Sequence, residues 1–181
     1  MNRVGWVMLP AAAAALLLAG CANSRGEVGQ PLAQPGRSAA AVLHDARGIE
    51  VGRATASEVQ GGLRVTLEVH GLPPGDHGAH IHGVGRCDPP DFASAGGHWN
   101  PLAAHHGTLS PAGPHMGDLP NLAVATNGRA TLGVTIPGAT MEGLLDADGA
   151  ALVIHAGRDD MMSDPAGNSG PRIACGTFQP A

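Results

Sequence analysis

The feature that most limits what this 181-residue chain can fold into is a series of six histidines and one aspartate: His80, His82, His98, His106, His115, Asp118 and, after a long gap, His155. Read as metal ligands, they divide into two sets that share His98. His80 and His82, in Gly78-Ala79-His80-Ile81-His82, stand two apart on an extended segment and project to one face, roughly 6.5 Å apart along the strand. His155 ends the apolar run Ala150-Ala151-Leu152-Val153-Ile154, which reads as a buried strand delivering one imidazole from the interior. His98 lies in the turn-rich Ser94-Ala95-Gly96-Gly97-His98-Trp99-Asn100-Pro101, a segment able to fold back over the others. Four imidazoles without a thiolate suit copper(II), which prefers tetragonal nitrogen coordination and tops the divalent affinity order. In the second set His98, His106, His115 and Asp118 are spaced 8, 9 and 3 residues apart in a loop rich in Gly and Pro. Three imidazoles and a carboxylate close a tetrahedral shell, the mark of a structural zinc. His98 can serve both sets because an imidazole deprotonated at both ring nitrogens has two coordinating atoms.

Alternation supplies the scaffold for these ligands. Leu63, Val65, Leu67 and Val69 face one way and Arg64, Thr66, Glu68 and His70 the other, and Ala130, Leu132, Val134 and Ile136 repeat the pattern. Asn127-Gly128, between Leu122–Ala125 and Arg129–Ile136, predicts a tight hairpin, because both residues tolerate positive φ. Further runs at Ala39–His44, Ile49–Ser57, Gly78–His82, Ala150–His155 and Arg172–Phe178 bring the count to about eight strands, with no convincing helix. The expected fold is all-β, an antiparallel Greek-key β-sandwich or flattened barrel. Two connections, Gly83 to Asn121 and Ala156 to Pro171, are too long for hairpins and are expected to be functional loops that carry or cover the metal site.

The N-terminus reads as a leader. Met1-Asn2-Arg3 is a short basic region, and the apolar stretch from Val4 to Ala19 contains Gly5 and Pro10 and is short for a membrane-spanning helix. Leu18-Ala19-Gly20-Cys21 looks like a bacterial lipoprotein cleavage box, with Cys21 acylated as the first mature residue. The expected organisation is a signal peptide over 1–20, a flexible tether over 21–36 with no periodicity, and one domain over 37–181. Removing the leader leaves about 160 residues, enough for one core. Membrane lipid is thus an expected partner. The expected location is the cell envelope, on the periplasmic face of an outer membrane or on the outer cell surface. The formal charge of −5 with no basic patch argues against nucleic acid.

At the ligand positions the chain resembles the copper/zinc superoxide dismutases, in particular their secreted bacterial branch. The likeness runs from about Arg37 to Gln179 through His80-Ile81-His82, Gly97-His98-Trp99-Asn100-Pro101, His106-Gly107, His115-Met116-Gly117-Asp118-Leu119, Leu152-Val153-Ile154-His155 and Gly170-Pro171-Arg172-Ile173-Ala174-Cys175-Gly176. The resemblance implies copper on His80, His82, His98 and His155, and zinc on His98, His106, His115 and Asp118. It selects His106 over its neighbour His105, because the family places the ligand directly before Gly. His44, His70, His77 and His105 are read as ordinary histidines, with His70 facing water. With Cys21 carrying lipid, Cys87 and Cys175 remain as a pair, and the family's matching bridge ties the loop beside the metals to the last strand. Closing about 90 residues would stabilise the fold by roughly 4 to 5 kcal/mol in the chain-entropy model.

The activity the resemblance implies is disproportionation of superoxide to dioxygen and hydrogen peroxide. Copper would alternate between its two oxidation states, and His98 would release copper on reduction and carry a proton to the second substrate. Asp159 matches the family's aspartate that links one ligand histidine of each metal. Arg172 matches its anion guide, against the plainer reading of an arginine that closes a loop on backbone carbonyls. The loop leading to the last strand carries Asp159, Asp160 and Asp164, with Arg158 as its only cation, so the net field does not obviously favour an anion. A copper and zinc buffering lipoprotein is the alternative of a different class, and a homodimer is left open.

Overall fold

The computed structural model describes Met1 and residues 37–181; the expected leader, tether and acylated Cys21 lie outside the described residues. Ten strands follow in chain order: β1 (Ser38–Asp45), β2 (Glu50–Val59), β3 (Gly62–Val69), β4 (Gly75–His77), β5 (Ala79–His82), β6 (Leu122–Val124), β7 (Ala130–Pro137), β8 (Ala151–His155), β9 (Arg172–Thr177) and β10 (Gln179–Pro180). The main sheet runs β5-β8-β9-β1-β2-β3-β7, with β10 paired to β1, and every pairing in it is antiparallel. β4 and β6 form a separate two-stranded ribbon. The chain passes between the β3/β7 edge and the β5/β8 edge three times, so the sheet curls into an incomplete barrel of Greek-key character.

The alternation expected along β3 is observed. Leu63, Val65, Leu67 and Val69 are buried, while Arg64, Glu68 and His70 are exposed. They join Leu43, Ile81, Leu119, Leu122, Leu144, Leu152 and Ile154 in one core inside the curl. β8 is buried along its whole length because it has two covered faces. Leu152 and Ile154 enter the main core, while Ala151 and Val153 pack outward with Phe92, Ala95 and Cys175. The Cys87–Cys175 disulfide closes this outer cluster, bonding the long loop to β9.

Two local expectations need correction. β6 and β7 do not form a simple two-residue hairpin: Gly128 N–H donates to Ala125 O at 2.9 Å, and Gly128 alone takes positive φ, +74°. Asn127 keeps negative φ and instead accepts the Arg129 N–H on Oδ1 at 3.1 Å, so the turn has three residues and the strands diverge, β6 to β4 and β7 to β3. There is also one helical turn, α1 (Met141–Leu144), which buries Met141 and Leu144 and is capped by Thr140 Oγ1 accepting the Gly143 N–H.

Leu67 sits between Ala54 of β2 and Leu132 of β7 and is fully buried, whereas Thr66 on the other face is half-exposed. Leu67→Ala is expected to lower the unfolding free energy by about 2–5 kcal/mol. Thr66→Ala should stay within about 0.5 kcal/mol of wild type. Denaturant midpoints of the disulfide-intact protein, read at constant slope, check this, and equal losses would refute the face assignment.

Candidate metal centre

β5 decides where the histidines go. It is in register with β8, Ala79 opposite Ile154, His80 opposite Val153, Ile81 opposite Leu152 and His82 opposite Ala151. Ala79 and Ile81 point into the core, so His80 and His82 share the outward face with Val153. The other edge of β5 takes the long loop. Trp99 N–H donates to Ile81 O at 2.8 Å, Ile81 N–H to Gly117 O at 2.9 Å, Gly83 N–H to Gly97 O at 3.0 Å and Leu119 N–H to Ala79 O at 3.3 Å. Single bridges pair His82 with His98 and His80 with Asp118. Position 117 must be glycine for this approach, since a Cβ there would overlap Ile81 O.

The first cluster gathers His80, His82, His98 and His155, each offering one ring nitrogen, all within 4.8 Å of one another. Hydrogen bonds on the far side of each ring select which nitrogen that is. His82 Nδ1–H donates to Gly96 O and His155 Nδ1–H to Gly170 O, both at 2.9 Å, and His80 Nε2–H donates to Asp159 Oδ2 at 2.7 Å. His98 Nδ1 faces Asp118 Oδ1 at 2.8 Å. The remaining atoms, His80 Nδ1, His82 Nε2, His98 Nε2 and His155 Nε2, are buried with no hydrogen-bond partner among the described residues. Four orphaned imidazole nitrogens converging at one point fit a nitrogen-coordinated metal ion, because buried polar atoms are otherwise paired.

The second cluster is built around Asp118. Its Oδ2 accepts the N–H groups of Gly107 at 2.8 Å and His115 at 2.9 Å, which turns Oδ1 toward three imidazoles. His98 Nδ1, His106 Nδ1 and His115 Nδ1 lie 2.8, 3.1 and 3.3 Å from it. Three nitrogens and one oxygen in this arrangement fit a closed tetrahedral ion site. His98 belongs to both groups, its ring centroid 4.0 Å from that of His80 and 5.3 Å from that of His115. Asp159, fully buried, connects the groups a second time, accepting from His80 on Oδ2 and from His106 Nε2–H on Oδ1 at 3.0 Å.

A family model described as copper/zinc superoxide dismutase matches residues 50–178. The chain belongs to this family. It is 45% identical over 139 residues, 74% of its length and 82% of the relative's, to a protein of Aquifex aeolicus named superoxide dismutase [Cu-Zn] 1. It is 42% identical over 149 residues, 78% and 86% of the two chains, to a superoxide dismutase [Cu-Zn] of Caulobacter vibrioides. Among solved structures it matches a SOD-like protein from Bacillus subtilis with TM-score 0.74 and 38% identity over 77% of this chain and 97% of that one. It matches the Cu/Zn superoxide dismutase from Brucella abortus with TM-score 0.65 and 32% identity over 78% and 99%. The family uses copper and zinc, and the two clusters are chemically suited to them.

Arg172, at the start of β9, places its guanidinium over the long loop. Nη1 donates to Phe92 O and Nη2 to Gly96 O, both at 2.6 Å. Gly96 O also accepts from His82, so one carbonyl joins the arginine to the first cluster. The arginine therefore closes the loop on backbone carbonyls, and two of its five N–H groups account for those bonds. The carboxylates of the second loop bond within the loops. Asp160 accepts the N–H groups of Met162 and Ser163, and Asp164 accepts the His106 N–H and His105 Nδ1. His105 is exposed and His106 buried in the cluster, and His44 and His70 face solvent.

Sequence reasoning missed the burial of His77. Its Nδ1 lies 2.7 Å from His155 O and its Nε2 2.9 Å from Pro73 O, so the ring is wedged between two backbone carbonyls next to the site. It also missed Asn121, whose amide bonds the Asp159 main chain. Neither residue has a signal in local spacing.

Burial pushes the first cluster away from protonation. His80 falls from the ordinary 6.5 to about 4, chiefly through desolvation that its bond to Asp159 only partly opposes. His82 falls to about 2, and His98 and His155 are also lowered, again chiefly by burial. Burial would raise Asp118, but hydrogen bonds from His98 and the Gly107 N–H outweigh it and hold the carboxyl at about 2, below its ordinary 3.8. As pH falls below 6.5, the unfolded chain binds protons that the folded histidines refuse. The metal-free protein is therefore expected to lose stability steadily from about pH 6.5 toward 4, and to lose Asp118's contribution from 3.8 toward 2. Chemical unfolding across this range checks the sign. A stability that stays flat or rises on acidification would contradict the burial of neutral imidazoles.

Proposed function

We propose that the chain is a superoxide dismutase, with His80, His82, His98 and His155 holding copper and His98, His106, His115 and Asp118 holding zinc. The observation that carries this reading is the set of four buried, partnerless imidazole nitrogens, one of them on a ring whose other nitrogen faces the second cluster. Bound copper would supply one-electron chemistry, taking an electron from one superoxide, which leaves as dioxygen, and passing it to a second, which leaves with two protons as hydrogen peroxide.

The residues around it have separable tasks. Asp159 holds the His80 and His106 Nε2–H groups, so the Nδ1 lone pair of each ring is the one that would be offered to a metal. His98 Nε2 is the atom that can carry a proton to the second substrate while Nδ1 stays on the zinc side. Arg172 presents a fixed positive charge beside His82, and its guanidinium pairs with the incoming anion through charge-assisted hydrogen bonds. In a chain of net charge −5 this one guanidinium would have to supply the local attraction.

Purified protein is expected to hold one copper and one zinc per chain and to speed superoxide decay, with His98→Ala disturbing both metals and His80→Ala removing copper but largely keeping zinc. Arg172→Ala is expected to lower kcat/KM by on the order of tenfold with copper retained, and salt should slow the native enzyme more than this variant. Superoxide that decays at the free-solution rate with both metals bound would leave the copper and zinc buffer as the function. Equal salt dependence in the two proteins would return Arg172 to loop closure alone.

The same reading extends to placement. We infer a signal peptide over 1–20, lipid on Cys21, a tether over 21–36 and the enzyme over 37–181 at the cell envelope, supported by Leu18-Ala19-Gly20-Cys21 at the end of the apolar stretch. Several acyl chains on one residue hold a protein to a bilayer, whereas a single chain does so only marginally. Intact mass of detergent-extracted protein is expected to show acylated Cys21 as the first residue; a mature chain that starts well beyond Cys21 would rule the anchor out.

A further inference from the structure

Asp159 ties the copper-side His80 to the zinc-side His106, and the position of its carboxylate depends on how its backbone is held. Asn121, the last residue of the long loop before β6, holds it on both sides. Asn121 Nδ2 donates to Asp159 O at 2.9 Å, and Asn121 Oδ1 accepts the Asp159 N–H at 2.8 Å. A side-chain carboxamide offers one acceptor and two donors, so it can satisfy the N–H and C=O of a single residue as a neighbouring strand would. Here it does so across 38 residues of sequence, joining the end of one long loop to the first turn of the other. The residue after Asn121 is Leu122, 1% exposed and part of the core, so the clamp is anchored to the sheet.

The opposite side of the carboxylate is confined too. Met161 N–H donates to Asp159 Oδ1 at 2.6 Å, and Gly167, at φ +61°, lies so close that a Cβ there would overlap that same oxygen. The Asp159 side chain thus has one placement, set by a clamp on its main chain and a wall without a side chain.

We propose that Asn121 is a positioning residue for both metal sites: by fixing the Asp159 main chain it sets the carboxylate that orients His80 and His106, although it touches neither ring. The inference rests on the reading of His80 and His106 as ligands given under Proposed function. It deepens that reading by tying copper and zinc geometry to one amide.

The test uses the full chain loaded with copper and zinc, as wild type, Asn121→Ala, Asp159→Asn and the double variant. Zinc transfer to a chromogenic chelator and the copper EPR spectrum are read on each. Asp159→Asn is expected to speed zinc loss roughly 10–100-fold, the usual effect of removing a partner of a ligating histidine, and Asn121→Ala about tenfold. Both should move the copper hyperfine splitting in the same direction. Because Asn121 acts through Asp159, the double variant should lose zinc no faster than Asp159→Asn alone, to within about twofold. If Asn121→Ala does not fold, Asn121→Asp replaces it; this variant keeps the volume and the acceptor, loses the donor to Asp159 O, and should show the same lack of additivity. Multiplying effects in the double variant, or an Asn121 variant whose zinc loss and spectrum match wild type, would overturn the inference while leaving the ligand reading intact. Retention of both metals by His80→Ala and His106→Ala would overturn the ligand reading and this inference with it.

Discussion

The pairing of β5 with β8 is the constraint on which the rest of this structure depends. Side chains alternate with a period of two, so the register that puts Ala79 and Ile81 beside Leu152 and Ile154 in the core also turns His80 and His82 outward. A slip of one residue would bury both imidazoles among leucines and expose Ile81. Core burial thus sends both rings to the cluster face, and the bonds to Asp159 and Gly96 then fix which nitrogen of each ring points into the cluster. The long loop then completes the site by hydrogen bonding to the remaining edge of β5, which brings His98 and Asp118 to within a strand's width of His82 and His80.

This arrangement is costly without metal. Four ring nitrogens lie buried and unpaired among the described residues, and a buried polar atom left without a partner is destabilising by about 1–3 kcal/mol. The far side of each ring shows the opposite care: the Gly96, Gly170, Asp159 and Asp118 oxygens each hold one nitrogen. Such asymmetry orders the rings and leaves the four converging lone pairs as the unsatisfied groups. Lowered histidine pKa values follow from the same burial and keep those lone pairs free of protons near neutral pH.

Most of the surrounding loop is tied down from several directions. The Cys87–Cys175 bridge, the Arg172 bonds to Phe92 and Gly96, and the Asp164 bond to the His106 N–H fasten it to β9 and to the second loop. Within these loops Asp118, Asp159, Asp160 and Asp164 each accept hydrogen bonds that hold the backbone or a histidine ring in place.

Most of the scaffold and the grouping of the histidines into two clusters were legible in the sequence because both rest on local regularities. Period-two alternation marks a half-buried strand wherever it occurs, as at Leu63 to Val69, and most of the clustered residues sit at short spacings in motifs of a known family. The β4–β6 ribbon was not legible, since Gly75-Asp76-His77 has no alternation to mark it. The Asn127-Gly128 turn signalled a reversal but not its three-residue form, which depends on where the two strands find partners. The burial of His77 and the Asn121 clamp on Asp159 were equally hidden. By itself the sequence determined which residues could coordinate and which faces must be buried. Only the tertiary structure decided which nitrogen of each ring is held, by which oxygen, and what holds that oxygen in place, because hydrogen-bond partners are chosen by proximity in space between segments that share no pattern along the chain.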